Sequence, residues 1–351
     1  MAKERLEEFA LIDLLTRKCN TIPTSLQSRI SIGNGDDAAV VKGANGYDWV
    51  VCCDTMVEDV HFKGHTMNPY DIGYKALASN ISDVAAMGGA PLFYLVSIAI
   101  PASWEEEALA EIYEGMATLA KEHSMALIGG DTVSSPSSMM VTVTVLGEVE
   151  AGRKLTRRNA KEGDLIFLTG TVGDSGAGLD LLLEAVNGVK DHNHLCPSLL
   201  PLVERHCRPN PDVQAGRILA KSGLRVALND ISDGLASESW EIAKASGVQF
   251  LLNEACIPLS SAVKEYGDMK EKDPLYWAYY GGEDYKLVGC VPEIEKERIE
   301  SLFQQVHHPL FWIGKVEKGE PGVFLEKGND TRVPLPKKGY NHFRGKEVGE
   351  E

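Results

Sequence analysis

Residues 165–186, LIFLTGTVGDSGAGLDLLLEAV, constrain the fold more than any other stretch of this chain. An apolar run, 165-LIFLT-169, passes through Gly170, Gly173, Gly176 and Gly178 into the helix-like run 179-LDLLLEAV-186. Strand, glycine turn and helix in that order imply α/β layering. The same order recurs where 225-RVALN-229 runs into 230-DISDGLASESWEIAKASG-247, a predicted helix that Ser232 or Asp233 caps and Gly247 ends. Farther on, 281-GGEDYKLVGCV-291 and 311-FWIGKV-316 read as strands on either side of a helix. The first half is different in kind. Its strands are 49-WVVCC-53, a short buried run, and 141-VTVTV-145, which alternates with period two. Between them lie two helices, 70-YDIGYKALASNISDVAAMG-88 and one that opens with a capping box, Ser103 and Glu106, and continues to His123. The first puts Ala76, Asn80, Asp83 and Met87 on one face.

The 351 residues suit two domains of about 150 each. Periodicity lapses and charge rises over 147-GEVEAGRKLTRRNAKEGD-164, so the expected domains are 1–150 and 151–345. A net charge of -16, with no Lys/Arg run longer than two, argues against nucleic acid or an anionic membrane as partner. The longest apolar run, 91–101, is about half the roughly 20 residues a bilayer span needs. MAKERLEEF has no apolar signal-peptide core, so a cytoplasmic location is expected. Seven cysteines without regular spacing form no disulfide framework.

Chemistry concentrates in five acidic clusters: 35-GDD-37, 52-CCD-54, 80-NISD-83, 129-GGD-131 and 230-DISD-233. Alone, each has an ordinary reading. A Gly-Asp is a turn, and Asp233 is a helix cap. If they converge, however, their mutual repulsion has to be neutralised by cations. Carboxylate oxygens select hard ions, magnesium above all, which binds through one or two carboxylates together with substrate phosphates. That points to phosphoryl chemistry with ATP. Yet no P-loop is present, since 170-GTVGDSGAG-178 lacks the lysine, and there is no protein-kinase signature set. In 52-CCD-54 the two cysteines face opposite sides of a strand, so the sulfurs are expected to pack and Asp54 to act. Cys53 enters the metal set only through its backbone carbonyl. A second cluster, His192, His194, Cys196, His206 and Cys207, has zinc-ligating atoms but no known zinc spacing, and reads as a connector.

The ordered series GDDAAVV, DTMVEDVHF, YKALASNISDVAAMGG, LIGGDT, LTRRNAKEGD, LTGTVGDSGAGL, DISDGL, GGEDYKL and 339-GYNHF-343 resembles the thiamine-monophosphate kinase family over nearly the whole chain. The resemblance implies the two-domain fold of aminoimidazole ribonucleotide synthetase, with a first domain that pairs its sheet in a homodimer and binds ATP and Mg2+. An α/β second domain completes the site. It further implies transfer of the γ-phosphoryl of ATP to thiamine monophosphate with several Mg2+ ions, held by Asp37, Asp54, Asp83, Asp131, Asp230 and Asp233. Arg157, Ser232 and Gly130 fall where the family contacts ATP, and His61, Glu283 and Tyr340 where it contacts the thiamine substrate. The catalytic set is then Asp131, Asp233 and Arg157. Without the resemblance, His61 reads as a surface strand residue, Arg157 as a charged loop and Glu283 as a turn. The family usually has serine or threonine where Cys52 and Cys53 stand, which leaves the number of metal sites open. Two alternatives remain. One is another ATP enzyme of this fold, such as selenophosphate synthetase or the hydrogenase-maturation type, which would call for a reactive Cys or Lys near the N-terminus or a C-terminal Cys, whereas this chain ends in GKEVGEE. The other is a zinc-dependent interaction protein built on residues 192–207.

Overall fold

The computed structural model describes residues 8–16, 22–188, 196–328 and 331–338. Tyr340, His192 and His194 lie outside these residues. After α1 (Glu8–Thr16) and α2 (Thr24–Gln27), the first half contains β1 (Ile30–Ile32), β2 (Ala39–Lys42), β3 (Tyr47–Val57), α3 (Pro69–Ala86), β4 (Ala90–Pro101), α4 (Glu106–Glu122), β5 (Ala126–Ser135) and β6 (Met140–Glu150). Its strands form one sheet in the order β1-β2-β3-β6-β4-β5, in which only β4 and β5 run parallel. The alternation in 141–145 does what its period requires: Val141, Val143 and Val145 are buried on one face of the sheet. β3 is eleven residues long and extends well past the apolar 49–53.

Helices α3 and α4 cover that face. They cross closely because Gly73 and Gly115 sit at the contact. A Cβ on Gly73 would stand 1.8 Å from the Ile112 carbonyl oxygen, and one on Gly115 would stand 1.9 Å from that of Tyr70. α3 opens with Asn68 as its cap, accepting from the Asp71 N–H at 2.8 Å, and with Pro69 in its first turn. The capping box at Ser103 does not form. The Trp104 N–H bonds back to the Pro101 carbonyl, closing a turn, so α4 starts at Glu106 after an uncapped Glu105.

The second half contains β7 (Asp164–Leu168), α5 (Asp174–Gly188), α6 (Leu200–Cys207), α7 (Val213–Ser222), β8 (Ala227–Asp230), α8 (Leu235–Ser246), β9 (Gln249–Asn253), α9 (Ser261–Lys270), α10 (Leu275–Tyr280), β10 (Leu287–Pro292), α11 (Lys296–Gln305), β11 (Phe311–Glu317), β12 (Gly322–Lys327) and β13 (Thr331–Pro334). The sheet order is β13-β12-β9-β11-β7-β10-β8, and only β9 and β12 are parallel. The strand, glycine turn and helix over 164–188 are therefore present, but β7 lies antiparallel to both of its neighbours. This is a mixed sheet with helices rather than a parallel βαβ array. The strand expected over 281–291 begins only at Leu287. Glu283 and Tyr285 have φ of 65° and 48°, a left-handed backbone that cannot continue a pleat.

α3 joins the halves. Its Ala86 packs into a cluster with Leu155, Phe167, Leu219 and Leu228, so the last turn of a first-half helix belongs to a second-half core. Among the described residues, no helix is long and apolar enough to cross a membrane.

Candidate active site

Acidic side chains from both halves meet where α3 joins them. Asp37 comes from the turn before β2, Asp83 from α3 and Asp230 from the end of β8, and one carboxylate oxygen of each lies within 4.8 Å of the others. Local bonds hold the arrangement. The Asn80 side chain, one turn before Asp83, accepts from the Asp54 N–H at 3.1 Å and ties α3 to β3. The Ser82 hydroxyl donates to Asp230 at 2.6 Å and ties α3 to β8.

Burial is the largest influence on all these carboxyls, and it disfavours their charge. Asp230 is pushed up to about 8 by burial and then by the neighbouring charge of Asp37. Burial, followed by Asp54, Asp230 and Asp37, raises Asp83 well above its ordinary value. Asp37 is raised by burial against the opposing pull of Arg157, Asp36 to about 6 by burial and Asp37, and Asp54 by burial. The Asp37 Oδ2 is buried with no hydrogen-bond partner. Hard oxygens, mutual repulsion and an unsatisfied acceptor together fit a divalent cation such as magnesium, so these residues suit the ion that the sequence implies.

Arg157 is the basic counterweight. It sits in a short turn, Arg157–Asn159, between the two sheets. Its guanidinium pairs with Asp37, donates to the Asn229 side chain at 2.8 Å and lies 4.0 Å from Asp36 and 3.9 Å from Glu241. It is thus built into the carboxylate site and is not a solvated loop residue.

The 230-DISD-233 loop is held by a residue that motif reading missed. Glu238, four positions past Gly234 in the first turn of α8, accepts from the Asp233 N–H at 3.1 Å and the Ser232 hydroxyl at 3.4 Å, while its other oxygen bonds Asn229. Neither Ser232 nor Asp233 caps α8. The cap position is Gly234, at φ 98°, and the loop instead receives its own support from a helix side chain. The glycine run 170–178 has an internal occupant too. Asp284 accepts from the N–H groups of Gly173 at 2.6 Å and Ser175 at 3.1 Å, filling the anion position at the start of α5. Burial pushes Asp284 up to about 7.

The remaining expected residues are spread around this centre. Glu283 points its carboxylate to Lys75 of α3, and its N–H bonds the Ser232 carbonyl at 2.7 Å. The His61 Nδ1 accepts from the Val57 N–H at 2.9 Å, just beyond β3. Asp131 lies not in a turn but within edge strand β5, exposed, accepting from the Thr132 N–H, and it is not one of the three converging carboxylates. Gly130 beside it has a steric reason, since a Cβ there would stand 1.9 Å from the Val96 carbonyl oxygen on β4. Cys52 is buried and donates to the Asn80 carbonyl, while Cys53 faces out and accepts from the Thr144 hydroxyl. Opposite faces keep the two sulfurs apart.

Family models match both halves: the AIR synthase related protein N-terminal domain over residues 35–149, and its C-terminal domain over 161–326. The thiamine-monophosphate kinase of Bacillus subtilis (strain 168) is 46% identical over 340 residues, 97% of this chain and 100% of that protein. This chain belongs to the thiamine-monophosphate kinase family. A second member of the thiamine-monophosphate kinase family, from Escherichia coli (strain K12), is 36% identical over 320 residues, 90% of this chain and 92% of that protein. The solved structure of AaThiL complexed with AMPPCP and TMP superposes with a TM-score of 0.82 at 32% identity, covering 97% of this chain and 100% of that one. Family membership makes the chain a phosphotransferase with the AIR synthase-like fold. Three residues of the His and Cys segment, Cys196, His206 and Cys207, lie among the described residues of this thiamine-monophosphate kinase family chain. His206 faces Lys75 and Ser175, Cys207 donates to the Thr66 carbonyl, and Cys196 bonds Ser198.

Proposed function

We propose that the chain phosphorylates thiamine monophosphate to thiamine diphosphate by direct in-line transfer of the γ-phosphoryl of ATP. The observation that carries this reading is the convergence of Asp37, Asp83 and Asp230 from separate elements of both halves, with a buried unsatisfied oxygen on Asp37. Asp37, Asp54, Asp83, Asp131, Asp230 and Asp233, with the Cys53 carbonyl, would hold several Mg2+ ions. When bound, these supply charge neutralisation between two polyanions and align the transferring group. Arg157 would supply positive charge to the nucleotide phosphates, with Ser232 and Gly130 adding a hydroxyl and a close backbone. Glu283, His61 and Tyr340 take the thiamine side.

No residue needs to act as general base, because the acceptor oxygen of a monophosphate is already anionic. Positioning and charge do the work, with Asp131, Asp233 and Arg157 as the catalytic set. Residues 1–150 form the dimerising, nucleotide- and Mg2+-binding domain, and 151–345 the domain that completes the site. Support for a homodimer lies in β5, an edge strand with nine of its ten residues exposed, Asp131 and the apolar Leu127, Ile128 and Val133 among them. A second copy seated there would carry Asp131 into a shared cleft. The enzyme works in the cytoplasm on small molecules, without nucleic acid or membrane. Incubation with ATP, Mg2+ and thiamine monophosphate should yield thiamine diphosphate and ADP in equal amounts, and no product in EDTA. ATP hydrolysis without thiamine diphosphate would reject the reading.

A further inference from the structure

Lys75 of α3 is fully buried, and a buried ammonium is costly unless it is paired. Nothing in the transfer reaction described above uses it. Its Nζ donates to the Glu283 Oε2 at 2.5 Å and faces the His206 Nε2 at 3.4 Å. His206 comes from α6 and is buried as well. Burial, and then the Lys75 charge, hold its imidazole well below the ordinary value, so the ring is neutral. A neutral ring that accepts from the ammonium at Nε2 carries its proton on Nδ1. That nitrogen lies 3.1 Å from the Ser175 hydroxyl on α5 and 3.6 Å from the Glu283 carboxylate. The lysine therefore has two acceptors, and the second is itself fixed by α5.

Glu283 is held differently on its two sides. Its side chain is 28% exposed, whereas that of Lys75 is 0% exposed, so the carboxylate is anchored from behind and still open to solvent in front. Its backbone is left-handed, φ 65°, and its N–H is bonded to the Ser232 carbonyl in the acidic loop. A non-glycine residue in this conformation persists only where its surroundings determine it. The Lys75 bond crosses from the first half of the chain to fix the side chain.

We propose that Lys75 is a positioning residue, which holds the Glu283 carboxylate in one place on the substrate side of the cleft and thereby sets affinity for the cationic heteroaromatic part of the acceptor. This rests on Glu283 as a contact for thiamine monophosphate, as proposed above. Lys75 bonds Glu283 and His206, neither of which is among the residues given to the nucleotide above. Its removal should weaken the acceptor and spare ATP, a split that general loosening of the cleft would not give.

Steady-state kinetics of Lys75→Met, Glu283→Gln and the double variant, with ATP and thiamine monophosphate varied separately, test the assignment. Each single variant should raise KM for thiamine monophosphate about tenfold and leave KM for ATP within about twofold, and the double variant should be no worse than the worse single. Multiplying effects in the double variant would overturn the proposal. So would a raised KM in Glu283→Gln alone. An unchanged KM in Glu283→Gln would instead remove the Glu283 contact, and with it the role given to Lys75. If Lys75→Met does not fold, Lys75→Gln retains donors for both partners. It should raise KM for thiamine monophosphate about threefold, and that rise should vanish in the Glu283→Gln background. A rise that persists there would overturn the proposal.

Discussion

At the scale of single residues the site is a balance of repulsions. Asp230, raised from 3.8 to about 8, binds its proton more tightly in the folded chain than in the unfolded one. Folding stability from this group is therefore fully present below the lower value and lost as pH rises through the upper one. Metal-stripped protein should melt lower near pH 8 than near pH 6, and added Mg2+ should raise Tm more at the higher pH, where fewer protons compete. Scanning calorimetry at the two pH values checks this, and pH-independent melting would contradict it. Asp83 is raised for the same reason. Asp83→Asn should cut turnover by at least about a hundredfold and yet raise the metal-free Tm by a few degrees, since it relieves buried like-charge repulsion. Normal turnover in that variant would show the carboxylate to be structural. The sequence displayed these aspartates through their glycine and strand contexts. It did not display Glu238, Lys75 or Asp284, because each acts on a partner distant in the chain or hidden in a loop, with no periodic or motif signal to mark it.

Among the elements, α3 does most to assemble the site, bringing Asp83, Ser82, Asn80 and Lys75 into contact with β3, β8 and the 281–286 segment. Its approach to α4 depends on two glycines that face backbone carbonyls. Gly115→Ala should cost about 2–3 kcal/mol in urea unfolding, because the Tyr70 carbonyl that its Cβ would meet cannot retreat without shifting α3, and turnover should fall with it. A midpoint unchanged from the parent would mean that the crossing has slack. Strand β6 was legible from its period of two, which burial on one face enforces, whereas α3 is buried nearly all round and was legible from its run of small residues. The capping box at Ser103 and the strand over 281–286 were not formed. In the first case a turn at Trp104 set the start of α4, and in the second two left-handed residues bent the chain to strap the 230–233 loop.

For the whole molecule, strands such as those at 49–53, 141–145 and 165–169 followed from hydrophobic patterning, while their assembly into two mixed sheets did not. Register and direction depend on long-range contacts that local pattern does not record. The exposed face of β5 is the feature that a single chain leaves unused. Ile128→Glu should turn a dimer into a monomer by light scattering and lower turnover by about tenfold or more, because Asp131 lies on the same strand. A variant that stays dimeric would place the interface elsewhere. The most direct test of the central claim, that converging carboxylates suited to holding metal serve phosphoryl transfer to an acceptor already anionic, compares two acceptors in one assay. With saturating ATP and Mg2+, thiamine monophosphate should be converted to the diphosphate at least about a thousandfold faster than free thiamine is phosphorylated, since a neutral hydroxyl, unlike a phosphate oxygen, needs a base to activate it. Equal turnover of the two acceptors would contradict it.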